Sequence, residues 1–163
     1  MIIAPVKEGF DSKYNPFGNT WIDQKTKTPF YAKWWLSWHN WVDLKTPIWT
    51  EVFASFDWIL TTGYEIDGYG KYIYITEEFW AKRRQTVLAH LSEILITHNS
   101  KVTQWQLIAK TWDSGCAKWK PHLHWWLRYK DEKWNVINVY NGYGWFVDCF
   151  WKWWILQHKI SKY

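Results

Sequence analysis

The chain is short of cysteine and of unbroken apolar sequence, and each shortage excludes something. Its 163 residues include two cysteines, Cys116 and Cys149, neither in a CxxC pair. Two thiols so placed build no disulfide framework and no cysteine-based metal knuckle, so both are read as reduced. The densest apolar stretch, Trp145 to Leu156, is broken by Asp148 and Lys152, so no segment is long and apolar enough to cross a bilayer as a helix, and no membrane partner is expected. The amino terminus, MIIAPVKEGFDSKYNPFGN, lacks a basic segment followed by an apolar stretch and a small-residue cleavage site. The expected location is therefore the cytoplasm, or a virion assembled there. No repeat, low-complexity tract or linker divides the chain, and its length suits a single domain over residues 1–163.

Aromatic side chains and positive charge are what the sequence has in excess. Twenty Lys and Arg against fifteen Asp and Glu leave a formal charge of +5, which favours a polyanionic partner. The 18 Trp, 10 Tyr and 8 Phe are more than one domain hides, because an indole is large and its N–H needs a partner. Several are expected at an interface or along a groove. Stacked bases, sugar rings and a neighbouring subunit all meet that description, and composition does not choose among them.

Residues 1–60 read as an irregular, aromatic-rich extension punctuated by Pro5, Pro16, Pro29 and Pro47, with KWWLSWHNW readable as short helix or strand. Residues 61–163 read as an α+β core. KYIYI alternates aliphatic and aromatic side chains as a strand does. In EEFWAKRRQTVLAHLSEIL the positions Trp80, Val87, Leu88, Leu91 and Leu95 recur at helical spacing, with Thr76 as cap and Glu77 and Glu78 in the first turn, which predicts a helix over 77–95. TQWQLIAKTW, PHLHWWLRY and WNVINVY follow as strands, and Trp151, Trp154, Ile155 and His158 share one face of a final helix. The order strand, helix, strand, strand, strand, helix predicts an antiparallel sheet with helices packed on one face.

His122 and His124 are two residues apart in the strand PHLHWWLRY. Side chains at that spacing share a sheet face, so the imidazoles stand side by side while Leu123, Trp125 and Leu127 face the core. Two neutral imidazoles supply two ligands for a divalent ion that polarises a phosphodiester oxygen.

KPHLHWWL resembles the histidine–hydrophobe–histidine motif of the HUH endonucleases, the rolling-circle replication initiators and their relatives, and the surrounding order of elements over roughly residues 71–163 is similar to theirs. The resemblance implies a ferredoxin-like sheet that binds single-stranded DNA, with Arg83, Arg84, Lys118 and Lys120 on phosphates and Trp119 and Trp126 on bases. It further implies Mn²⁺ or Mg²⁺ held by His122, His124 and a third ligand, Asp113 in the first instance, with Glu65, Asp67 and Glu77 as alternatives. The family's nucleophile is a tyrosine followed closely by a lysine. Here WKWWILQHKISKY keeps Lys159 and Lys162 but places tryptophan where that tyrosine belongs. Tyr140, Tyr143 and Tyr163 are the remaining candidates, so DNA binding is expected and metal-dependent nicking is left open.

A second reading dispenses with the histidines. A basic, Trp-rich chain with an extended arm fits a non-catalytic structural or interaction subunit of a virion or other large assembly, oligomerising through exposed indoles. Glu65, Asp67 and Lys71 in YEIDGYGKY faintly resemble the acidic and lysine residues of restriction-type nucleases, but a solvated Gly-rich hairpin explains them as well.

Overall fold

The computed structural model describes residues 2–7, 11–15, 17–28, 31, 39, 41–79, 82–112, 114–117, 120–140, 145–148 and 157–159. Among them the regular structure is strand: β1 (Asp11–Asn15), β2 (Val42–Lys45), β3 (Glu51–Phe53), β4 (Trp58–Glu65), β5 (Gly70–Phe79), β6 (Lys82–Ile94), β7 (Ser100–Val102), β8 (Leu107–Thr111), β9 (Leu123–Asp131), β10 (Val136–Tyr140), β11 (Trp145–Asp148) and β12 (Gln157–Lys159). A 3-10 turn at Gly115–Ala117 lies between β8 and β9. The strands form one antiparallel sheet whose main path runs β12-β11-β10-β9-β6-β5-β4-β7, with β1–β2 and β3–β8 joined to it through β9 and β6.

This overturns the α+β expectation and the ferredoxin-like, HUH-like arrangement of helices on a sheet. The helix expected over 77–95 is instead the far end of β5 and the whole of β6. Charges at the first turn of the supposed helix are cross-strand partners: Arg83 Nε lies 2.8 Å from Glu78 Oε1 and Arg84 Nη2 2.6 Å from Glu77 Oε2, and such pairs favour the hairpin. The helical spacing of the apolar residues has two causes. From Gln85 to Leu91 β6 is buried on both faces, so Val87, Leu88 and Ala89 run on without alternation. The strand then bulges at His90, whose φ of 62° is left-handed, and the register with β5 shifts between Ile73 and Lys71. A bulge resets the period-2 phase, and the sum imitates a period of 3.6. Of the final helix, His158 falls in β12, whereas Trp151, Trp154 and Ile155 lie outside the described residues. Residues 42–53, read as part of an irregular extension, supply β2 and β3.

Register sorts side chains onto two faces. Leu60 of β4 pairs with Ile75 of β5, Ile73 with Leu88 of β6, and Leu88 with Trp125 of β9. These residues join Val52, Phe56, Ile108 and Leu127 in a single buried cluster. The long strand β6 gives its first part to β5 and β9 and its last residues to β8, which brings β8 and β3 over the same core. The opposite face carries His124, Trp126, Arg128 and Lys130 of β9. Val87 and Gln85 of β6 lie beside them, followed by Tyr72, Tyr74 and Thr76 of β5.

Two glycines press one loop against another on this second face. Gly70 and Gly115 have φ of 63° and 67°. A Cβ on Gly70 would meet Ser114 Oγ at 2.2 Å, and one on Gly115 would meet the Gly70 nitrogen at 2.3 Å. The contact lets Cys116 N donate to the Gly68 carbonyl at 3.0 Å and Ser114 Oγ to the Leu91 carbonyl at 3.0 Å. Gly70→Ala therefore combines a strained φ with a backbone clash, and its expected cost is about 1–3 kcal/mol of stability by urea denaturation. A midpoint equal to that of the wild type would show that the two loops are not held in this contact.

Candidate active site

Asp43 of β2 pairs in register with His124 of β9. Both project from the polar face, and both are buried. Asp43 Oδ1 lies 3.5 Å from His124 Nδ1 and 3.8 Å from His122 Nε2. Its Oδ2 accepts a hydrogen bond from Nε2 of His39, four residues back, at 3.1 Å. One carboxylate thus faces three imidazoles. Burial alone would raise its pKa, but the hydrogen bonds from His124 and His39 and the charges of His124 and His122 outweigh that and hold Asp43 well below the usual carboxylate range. His124 Nε2 is buried and makes no hydrogen bond.

A further imidazole enters from the bulge of β6. The His90 ring lies 4.7 Å from that of His122 and 5.8 Å from that of His124, between centroids. The left-handed conformation that interrupts the strand also turns this side chain to the site, since His90 N still donates to Tyr69 O and its carbonyl accepts from Trp112 N. Tautomers follow from the partners. His90 Nδ1 lies 2.8 Å from the Ser114 carbonyl and His122 Nδ1 2.7 Å from the Lys120 carbonyl. A carbonyl only accepts, so both Nδ1 atoms carry the hydrogen, and burial, which keeps His90 neutral, leaves the His90 Nε2 a lone pair.

Aromatic rings wall the cluster. Trp41 stands between His39 and His124, at 4.4 and 4.8 Å, and Tyr69 lies 5.2 Å from His124. Burial pushes the Tyr69 phenol up to about 12, against the nearby charge of Arg128, so it remains protonated.

Of the residues singled out from the sequence, His122 and His124 come together, and the carboxylate beside them is Asp43. Glu77 is tied to Arg84, and Glu65 ends β4. Asp113, Lys118, Trp119, Tyr143 and Tyr163 lie outside the described residues, Tyr140 ends β10, and Lys159 ends β12. Arg83 and Arg84 are paired with glutamates on opposite faces of β6, and Lys120 is exposed, its carbonyl holding His122. Trp126 sits beneath the Arg128 guanidinium, 4.0 Å from its ring centroid. His39, Asp43 and His90 are not recognised from the sequence. A His-x-x-x-Asp spacing ahead of the His-x-His pair was the available signal for the first two, whereas a lone histidine in the apolar run LAHL offers none.

Comparison with known proteins gives a consistent result. The sequence profile of peptidase family M23 matches residues 37–136, a span that contains all five site residues. Among solved structures, a zinc-containing peptidase from Vibrio cholerae superposes with a TM-score of 0.58 at 23% identity, over 78% of this chain and 36% of that one. The catalytic domain of lysostaphin, an antimicrobial peptidase from Staphylococcus simulans, superposes at 0.55 and 18% identity over 82% and 95%. Csd3 of Helicobacter pylori does so at 0.54 and 20% over 99% and 37%. The chain thus spans little more than a third of the Vibrio and Helicobacter proteins. No curated protein matches it. These findings overturn the resemblance to HUH endonucleases. They remove with it the readings as a single-stranded DNA-binding or nicking protein and as a virion subunit. Mn²⁺ or Mg²⁺ is likewise not supported: imidazole nitrogens suit zinc, whereas magnesium prefers oxygen and water.

The buried histidines make stability pH-dependent. Burial, with the neighbouring His124 and His122, pushes the His90 pKa down from 6.5 to about 3. The folded protein then binds fewer protons than the unfolded chain between those values, so stability is fully present above 6.5 and is lost as pH falls towards about 3. Urea midpoints of the chelator-treated protein are expected to fall through this window, and less steeply in His90→Gln; parallel profiles would contradict the assignment.

Proposed function

The chain belongs to peptidase family M23, and from that membership and the site geometry we propose that it is a zinc-dependent peptidase acting on the peptides of peptidoglycan. Members of this family are typically peptidoglycan-hydrolysing metallopeptidases. The observation that carries the reading is the sharing of Asp43 by His39 and His124 at 3.1 and 3.5 Å. His39 and His124 approach Asp43 through different carboxylate oxygens, Oδ2 and Oδ1, and these three are the residues that would hold the ion. Two imidazoles and one carboxylate are also the composition of hydrolytic zinc sites, which leave a position open.

When bound, zinc supplies a Lewis acid for the scissile carbonyl and acidifies water. The remaining work falls to groups of the chain. Hydrolysis of an amide must move a proton from the attacking water to the departing nitrogen. His90 and His122 are suited to carry it, because each ring is oriented by its Nδ1 hydrogen on a backbone carbonyl, with His122 Nε2 3.8 Å from Asp43 Oδ1. Burial keeps His90 neutral. Ser114 and Lys120 act as positioning residues through their carbonyls.

Release of dye from labelled peptidoglycan is expected to need zinc, to stop with chelator and to return when zinc is restored. His122→Ala should keep bound zinc and lose about 10²- to 10⁴-fold in rate, whereas Asp43→Ala should lose the zinc itself, measured by elemental analysis. Failure of the zinc-loaded protein to solubilise peptidoglycan, or full activity in His122→Ala, would sink the proposal.

A further inference from the structure

The polar face of the sheet continues beyond the histidines. Along β9, His124, Trp126, Arg128 and Lys130 succeed one another on that face, so Arg128 stands about 13 Å from His124 at roughly 3.3 Å per residue. There the surface opens into a cavity of about 600 Å³ whose walls include Trp58, Tyr74, Glu78, Arg128, Lys130 and Trp134. The tyrosines of β5 and the preceding loop bridge the two places, with Tyr69, Tyr72 and Tyr74 following in contacts of 5.6 and 5.0 Å.

The cavity holds more positive than negative charge. Arg83 and Lys130 lie over the Trp134 ring, 4.4 and 4.9 Å from its centroid, and Arg128 packs over Trp126. Arg83 is balanced by Glu78. Arg128 Nε donates to Gln85 Oε1 at 2.9 Å, and Gln85 Nε2 donates in turn to Thr76 Oγ1 at 2.9 Å. A neutral amide aims the guanidinium without cancelling its charge. Lys130 makes no ion pair with a carboxylate among the described residues. Partial burial and the charges of Arg128 and Arg83 push its pKa down to about 8, the state of an ammonium short of a counter-ion.

From this juxtaposition we infer that the Arg128–Lys130 cavity is a subsite for a carboxylate of the peptide substrate, about four residues along an extended chain from the scissile bond. The inference rests on the peptidase reading for the identity of the ligand as a peptide. Trp58, Tyr74 and Trp134 supply apolar walls for the substrate backbone, and the two cations supply the selection. Cations of this kind discriminate by charge, so a peptide amidated at the same position is bound less well.

The test uses the zinc-loaded full chain and two probes, the stem pentapeptide L-Ala-γ-D-Glu-L-Lys-D-Ala-D-Ala with free carboxylates and the same peptide with every carboxylate amidated. Calorimetric titration should show the free acid bound about tenfold more tightly. Lys130→Gln should lose that preference without weakening the amidated probe, and Lys130→Arg should retain it. Equal binding of the two probes, binding of neither, or an equal loss for both in Lys130→Gln overturns the subsite. Peptidoglycan dye release, run in parallel, separates the two readings. Preference for the acid without release would leave the subsite standing and the peptidase reading lost, and release without preference would do the reverse.

Discussion

Asp43 is a carboxylate enclosed by the protein, and burying such a charge costs several kcal/mol unless hydrogen bonds and opposite charge compensate. Its compensation comes from His39, His122 and His124, and the rest of the site is arranged to bring those three to it. β2 must lie beside the start of β9, the residues before β2 must return His39 to the same carboxylate, and β9 must present its histidines on the polar face. A slip of one residue between β2 and β9 would carry Asp43 to the apolar face, among Leu44 and Leu123, where nothing would meet its charge. Register and electrostatics therefore enforce each other.

The second constraint is the bulge of β6. An unbroken strand would turn residue 90 to the core face, because Leu88 lies in the core and Ala89 pairs with His124 on the polar face. The left-handed turn at His90 brings its imidazole to His122 while Leu91 stays in the core. The strained residue is held by backbone hydrogen bonds on both sides and by the Ser114 carbonyl on its side chain. Ser114 is in turn positioned by the close approach of Gly70 and Gly115. Strain at one residue is thus sustained by two glycines far from it in sequence. On the same face, the charged cavity at Arg128 and Lys130 is reached by following β9 from His124, so the histidine cluster and the pocket proposed for selection are joined by one strand.

Short-range pattern was legible where one face of a strand is apolar and the other is not. KYIYI lies in β5 and LHWWLRY in β9, with His122 immediately before it, and the approach of His122 and His124 to the same carboxylate agrees with their spacing. Pattern failed where both faces are covered and a bulge intervenes, which is why 77–95 imitates a helix. Function was misread for a related reason. A His-x-His string has the same appearance in unrelated families, and the groups that the fold gathers around it, Asp43 and His90, lie some eighty and thirty residues earlier in the chain. The tryptophan surplus did not choose among bases, sugar rings and a neighbouring subunit; in the structure Trp41 packs between His39 and His124, Trp125 donates to Thr86 in the interior, and Trp126 supports Arg128.

By itself the sequence determined which residues alternate, where the turns fall, and that two imidazoles stand side by side on one strand, because those properties depend on neighbours two to four residues apart. Only the tertiary structure decided that two further imidazoles and a carboxylate complete the cluster, that a bulge turns His90 to it, and that Arg128 and Lys130 extend the same face. Those facts are set by strand pairing across long loops. Pairing is chosen by the whole apolar core and by the need to satisfy one buried charge, and no local window contains either.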